Sequence, residues 1–212
     1  MRRIYNSYKT VLEMMIDRKY TSSEDEKIPS FEEWMAEYEG LSEDEVREKL
    51  NFIYMKSDTD HILIAWSLTP ALGSQNIQGI KVMMDERAVK RCIMVIQGKI
   101  TPFAANAIKN LRIQSYFIET FTEEELQFNI TRHDLVPRHI ICSAAKKEEV
   151  LAKYAVSKTQ LPQIKSTDPQ VRYLGAVKNQ LIKVVRKSDT MPTIVVNGQP
   201  QLLYDISYRI VV

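Results

Sequence analysis

The 212-residue chain is 44% hydrophobic and 26% charged, with 29 Lys+Arg against 27 Asp+Glu for a formal charge of +2, an ordinary balance for a folded protein with room for one large domain or a larger and a smaller one. No run approaches the ~18 apolar residues that a membrane helix needs, so no membrane role is expected. The +2 conceals an asymmetry: residues 1–136 hold 17 basic against 22 acidic side chains and residues 137–212 hold 12 against 5, which favours two modules with those bounds, meeting in the stretch 129–143.

The opening Met-Arg-Arg-Ile-Tyr-Asn-Ser lacks the apolar block and cleavage site of a secretory signal, and a protein that stays inside the cell is expected. Apolar Ile4, Tyr8, Val11, Leu12 and Met15 recur at helical spacing and predict a first helix ending near Tyr20. After a polar break at 22–26, Ser30 with Glu33 and Ser42 with Glu45 form two capping boxes that open a second and a third helix, Gly40 stopping the second and the third running through Leu50. The face Phe31, Trp34, Met35 and Tyr38 could dock a partner; packing on the protein's own sheet is the expectation. Strand patterns follow at 52–55 and 61–66, across the turn Ser57-Asp58-Thr59-Asp60. A loop is expected at 68–78, a helix at 79–89 and a buried strand at 91–97. Thr101 then caps a helix that runs to about Asn110, with Pro102 at its first position. A strand at 115–119, a short helix capped by Thr122 and Glu125, and a strand at 127–131 complete the half. The alternation predicts an α/β layer with some parallel pairing.

In the second half Ser143 caps a helix with the stripe Lys147, Val150, Leu151 and Tyr154. Residues 160–164 are extended, Pro162 marking an edge strand or linker. Asp168 caps a short helix that begins at Pro169 and closes at Gly175. Asn179 suits a left-handed turn into a strand at 180–187. Two runs, 193–196 and 201–204, flank Asn197-Gly198 as a β-hairpin, and 208–212 is a final strand. The whole half is predicted to be a small α+β unit.

The side chains that carry chemistry are few. His133 and His139 stand near Asp134, but two imidazoles and one acid without a second cluster do not make a zinc site. Cys142 lies three residues from His139, on the opposite face of an extended segment. Cys92 and Cys142 sit in apolar β-like runs without paired spacing, as buried reduced thiols would. A metal-dependent nuclease would need two carboxylates and a lysine, and Gln97-Gly98-Lys99 offers Gln where the acid should be, with Asp85 and Glu86 placed in a helix. Six glycines, none clustered, exclude a phosphate loop. No catalytic residue, metal, cofactor or small-molecule substrate is therefore predicted. The scattered basic residues of the second half are consistent with a solvated surface, or with an electropositive face toward nucleic acid or an acidic protein.

A resemblance goes further. Thr131-Arg132-His133-Asp134-Leu135-Val136-Pro137-Arg138-His139, Gln160-Leu161-Pro162-Gln163-Ile164, Asp168-Pro169, Arg172-Tyr173-Leu174-Gly175, Lys183-Val184-Val185-Arg186-Lys187-Ser188 and Ser207-Tyr208-Arg209 resemble, in order, the fifth subunit of eukaryotic nuclear RNA polymerases, and the basic half alone is similar to the archaeal RNA polymerase subunit that corresponds to it. Tyr5, Tyr8, Asp17-Arg18, Gly79-Ile80-Lys81, Ile100-Thr101-Pro102, Ile118-Glu119-Thr120-Phe121 and Asn129-Ile130-Thr131 extend the likeness through the acidic half. The resemblance implies a non-catalytic subunit with an α/β N-terminal jaw domain (1–136) beside downstream DNA and a small α+β C-terminal assembly domain (137–212) docked on the largest subunit. Carried over, the partner surface falls on His133, Leu135, Val136, Pro137, His139, Leu161, Pro162, Asp168, Pro169, Arg172, Tyr173 and Arg186. The DNA-facing turn falls on Lys99, Thr101 and Pro102, where phosphate contact beside a helix N-terminus would be independent of sequence and sensitive to salt. It also implies a nuclear protein, or one of a viral factory or virion if the source is a large DNA virus. The competing reading is a free-standing nucleic-acid-binding transcription regulator. Three departures from the pattern stand out: Lys146 replaces the acid of a capping box, Asn179 replaces a glycine, and an extra hairpin around Asn197-Gly198 precedes the last strand.

Overall fold

Helix α1 (Arg2–Asp17) forms on the stripe that the sequence shows, with Ile4, Val11, Leu12, Met14 and Met15 buried. It opens a computed structural model that describes residues 1–20, 28–57, 59–188, 193–196, 199–202 and 204–212. The polar break at 22–26 and the turn residues Asp58, Asp189, Thr190, Asn197 and Gly198 lie outside the described residues. The chain forms two units, Met1–Asn129 and Ile130–Val212, each with a four-stranded sheet of its own.

In the first unit both capping boxes close. Ser30 Oγ accepts from the Glu33 N–H at 3.2 Å and Glu33 accepts from the Ser30 N–H at 2.7 Å, starting α2 (Phe31–Glu37). Ser42 and Glu45 do the same at 3.3 and 2.8 Å for α3 (Glu43–Lys49). The aromatic face turns inward: Trp34 is fully buried, with ring centroids 5.6 Å from Tyr5, 6.2 Å from Tyr8 and 4.9 Å from Tyr38. Phe52 continues the layer to Tyr8 and Trp66, so the helices pack on their own sheet.

That sheet has the order β1 (Phe52–Ser57), β2 (Asp60–Trp66), β3 (Arg91–Ile96), β4 (Phe117–Thr122). β1 pairs antiparallel with β2; β2, β3 and β4 are parallel. The crossovers are α4 (Ser74–Glu86) and α5 (Pro102–Ile113). Both pack on the face carrying Leu63, Ala65, Cys92, Met94 and Ile96, through Ile77, Ile80, Met84, Ala104 and Leu111. Helix α4 begins at Ser74, not at Gly79 as expected, because Asn76 Oδ1 accepts from the Gly73 N–H at 2.9 Å and Ile77 supplies an apolar anchor ahead of Gly79. Strand β4 starts two residues late because Ser115, at φ 65°, ends α5 in a left-handed turn.

The expected helix at 123–126 and strand at 127–131 do not form. Thr122 and Glu125 exchange their capping hydrogen bonds, but only a turn follows, then a 3-10 turn at Ile130–Arg132. The polar side chains here serve α1 instead of a ladder: Gln127 Nε2 donates to the Arg3 carbonyl at 3.1 Å and Asn129 Nδ2 to Glu13 at 2.6 Å. Beside them Arg47 of α3 donates through Nε to Glu123 at 2.8 Å, the two side chains being 7% and 3% exposed. Arg18 forms a two-pronged pair with Glu119 at 3.0 and 2.7 Å.

In the second unit the strand order is β5 (Arg138–Ile141), β7 (Leu181–Lys187), β10 (Tyr204–Val211), β6 (Gln163–Ile164). β6 is a two-residue parallel edge, as Pro162 requires. Helix α6 (Ala144–Tyr154) is capped by Ser143 alone, its Oγ accepting from the Lys146 N–H at 3.2 Å. It covers one sheet face through Val150, with Leu161, Leu181 and Ile210. Helix α7 (Pro169–Leu174) starts on Asp168, whose Oδ1 accepts from the Gln170 and Val171 N–H groups, and ends at Gly175 with φ 67°. Val171 covers the other face with Ile164, Ile182, Val184 and Val211. Asn179 takes φ 70°, the left-handed turn its amide side chain tolerates. β8 (Thr193–Val196) and β9 (Gln199–Leu202) pair antiparallel with Val196 opposite Gln199, so the second strand of the hairpin starts two residues earlier than expected. β10 also starts early, at Tyr204, because it pairs with β7 out to Lys187.

Removing Glu123 takes away the buried acceptor of Arg47 Nε, while Asp44 at 3.1 Å and Glu43 at 3.5 Å still neutralise the other end of the guanidinium. Glu123→Ala should therefore lower the unfolding free energy of the intact chain by about 1–3 kcal/mol in a urea titration, the cost of an unsatisfied buried donor. Glu149→Ala, which removes an exposed partner of Lys146, should leave the midpoint unmoved.

Candidate functional site

The parallel strands end together, and the turn that was expected to face DNA leaves from there. After β3 the chain runs Gln97-Gly98-Lys99-Ile100 into α5. It is pinned at each step: Gln97 Nε2 donates to the Ser67 carbonyl at 3.1 Å, Leu72 N–H to the Lys99 carbonyl at 3.0 Å, and Thr101 N–H to the Leu72 carbonyl at 3.1 Å. Gly98 is required here, since a β-carbon would stand 2.5 Å from the Pro70 carbonyl oxygen. Thr101 Oγ1 donates to the Leu72 carbonyl and accepts from the Ala104 N–H. Helices α4 and α5 both begin at this edge, one at Gly73 and the other at Thr101. Lys99 and Pro102 are exposed, Thr101 is half-buried, and Phe103 is 78% exposed beside them. The fixed turn thus presents a cation next to the positive end of α5, geometry suited to an anionic group.

The nuclease-like pattern fails in three dimensions as well. Asp85 lies at the far end of α4, about 16 Å along the helix from Ser74 at 1.5 Å per residue. Its carboxyl is held below the usual range by hydrogen bonds from Lys81, at 2.8 Å, and from Tyr116.

The residues of the expected partner surface divide by burial. His133, Leu135, Pro162, Pro169 and Arg186 are exposed, Leu135 by 86%. Val136, Pro137, His139, Asp168 and Arg172 are half-buried. Leu161 and Tyr173 belong to the unit's own interior, 9% and 3% exposed, and Asp168 holds the α7 cap. Both imidazoles are engaged locally: His133 Nδ1 accepts from the Leu135 N–H at 3.2 Å, and His139 Nδ1 lies 2.7 Å from the Pro137 carbonyl oxygen. They stabilise the bends of the 130–139 segment. Burial, with the Glu119 charge second, pushes the Cys92 thiol up; burial also raises Cys142, and both thiols are free. Among the described residues no three His, Cys, Asp or Glu side chains converge as metal ligands, and no helix is long and apolar enough to cross a membrane.

The described residues offer a pinned turn with an exposed cation and a proline-bearing surface. Comparison with known families says what kind of chain carries them. The family model for RNA polymerase Rpb5, N-terminal domain, matches residues 1–84, and that for RNA polymerase Rpb5, C-terminal domain, matches residues 128–196. The DNA-directed RNA polymerases I, II, and III subunit RPABC1 of Caenorhabditis elegans is 33% identical over 192 residues, covering 89% of this chain and 90% of the relative. Its counterpart in Dictyostelium discoideum is 36% identical over 191 residues, covering 89% and 92%. The chain belongs to the Rpb5 family, the fifth and accessory subunit of eukaryotic DNA-directed RNA polymerases. The turn at Lys99 falls between the two segments that the family models match.

The turn's construction is testable through its glycine. Gly98→Ala should cost about 1–3 kcal/mol of stability, because backbone, not a flexible side chain, blocks the methyl group. Gly79→Ala, in α4 with nothing within 4 Å of the new atom, should stabilise by about 0.5–1 kcal/mol. Thermal melts of the two variants read both signs.

Proposed function

We propose that the chain acts as an architectural subunit of a nuclear multisubunit RNA polymerase, its second unit docking on the largest subunit and its first serving as a jaw beside downstream double-stranded DNA. The observation that carries this reading is the match of both halves, along nearly the whole chain, to subunits named for polymerases I, II, and III. The docking surface is assigned to the exposed members of the motif-bearing segments: His133, Leu135, Pro162, Pro169 and Arg186, held in place by the Asp168 cap and by the interior residues Leu161 and Tyr173. A rigid, proline-rich surface loses little entropy on binding, as a permanent assembly contact requires. DNA contact is assigned to the 99–102 turn: Lys99 meets a phosphate, Thr101 and Pro102 fix the backbone, and no base edge is read.

Two outcomes follow. A fragment of residues 130–212 should retain the largest subunit in a pull-down while residues 1–129 do not; the reverse would exchange the roles of the two units. Lys99→Glu should leave assembly intact, weaken downstream-DNA protection severalfold at low salt, and reduce the slope of log affinity against log salt by about one. Unchanged protection would remove this turn from the DNA path.

A further inference from the structure

Helix α6 closes only part of the sheet face on which it packs. Strand pairing sets Leu181 opposite Ile210 beneath the helix; one step along, Lys183 lies opposite Ile140 and Tyr208; then Val185 opposite Arg138 and Ile206; then Lys187 opposite Tyr204. Each of these is an even number of residues from Leu181 or Ile210 along its strand, or directly across from one that is, so all lie on the face of the Val150–Leu161–Leu181–Ile210 cluster. Beyond the helix this face is apolar and wet: Ile206 is 49% exposed, Tyr204 50% and Ile140 37%, with Val185 half-buried between them. Tyr154, 51% exposed at the end of α6, lies against Tyr208 at 6.2 Å and extends the strip.

The charges on the paired strand positions of the strip have one sign; on the bordering helix Glu149 is already neutralised by Lys146 at 2.6 Å. Arg138 and Lys187 are exposed and Lys183 half-buried, and none of the three has an ion-pair partner among the described residues. No position paired across this part of the face is a carboxylate, for Asp205 lies opposite Arg186 and both point to the other side. An aliphatic centre with a cationic border is the anatomy of a protein interface.

We propose that this face receives a polypeptide segment of another polymerase subunit, its apolar side chains covering Ile140, Val185 and Ile206 and its carboxylates meeting Arg138, Lys183 and Lys187. This rests on the reading of the chain as an assembled polymerase subunit, and adds to it a second surface and the chemistry of its partner. A nucleic acid fits less well, because Ile140, Val185 and Ile206 at the centre of the strip are aliphatic and offer no ring on which a base could stack. A second copy of the chain would set three cations against three.

The test uses the full-length chain in the purified polymerase, with a photoreactive residue in place of Ile206. The expected product is a cross-link to another subunit, within a peptide that contains Asp or Glu. In the same complex, the Arg138→Glu/Lys187→Glu variant should be retained about tenfold less well, with the melting temperature of the free chain unchanged, since both side chains are exposed. A chain that enters the polymerase but cross-links from position 206 only to water, nucleic acid or its own copy overturns the proposal and leaves the subunit reading standing. Retention unaffected by the charge reversals likewise removes the carboxylate-bearing partner. Failure of the unaltered chain to enter a polymerase rejects both readings together.

Discussion

Parallel pairing of β2, β3 and β4 is the constraint from which the first unit follows. Parallel strands cannot be joined by tight turns, so each connection must cross over, and α4 and α5 do so on the same face. The other face, with Ile62, Ile64, Trp66, Ile93 and Val95 all buried, then needs a cover of its own. The chain supplies it before the sheet begins, as the aromatic layer around Trp34. The same constraint brings the loops after β2 and β3 to a single edge, where Gly98 lets the second pass close to Pro70. The position of Lys99 is therefore a consequence of topology: it stands where the strands end and the crossover helices start.

The second unit solves a smaller problem differently. Its core strands β5, β7 and β10 are antiparallel, with α6, β6 and α7 all inserted between β5 and β7, but two short helices cannot close two sheet faces. Helix α7 seals its side with a single valine amid four sheet residues, while α6 leaves Ile140, Val185 and Ile206 uncovered. Surface that a small unit leaves apolar is surface it can lend to a neighbour. A subunit that lives in a large assembly need not be self-sufficient in burial.

Much of this was legible in the sequence where the determining forces are local. Ser30 with Glu33, Ser42 with Glu45, Thr101 with Pro102, Asp168 with Pro169, and Asn179 each act within a few residues, and each is found in its expected role. The reading failed where distant partners decide. Gln127 and Asn129 looked like strand residues until their amides were seen to bond α1, more than a hundred positions away. The start of α4 is hard to read from sequence because it rests on an asparagine bonding back to a glycine, a weaker signal than serine with glutamate. Motif likeness named Leu161 and Tyr173 beside Pro162 and Pro169 without separating interior from surface, since both kinds of residue carry a family pattern. The apolar strip of the second unit is not legible in the sequence, because it needs the register of three strands, two of them separated by β8 and β9.

A chain of this family is expected to work only as a member of a polymerase. Purification of the native complex through a tag on this chain, followed by intact-mass analysis and a templated RNA-synthesis assay, tests it most directly. One copy of the chain is expected in a particle that contains the large polymerase subunits and makes RNA on DNA. Recovery of the chain as a free monomer, with no polymerase subunits and no RNA synthesis in the eluate, would contradict it.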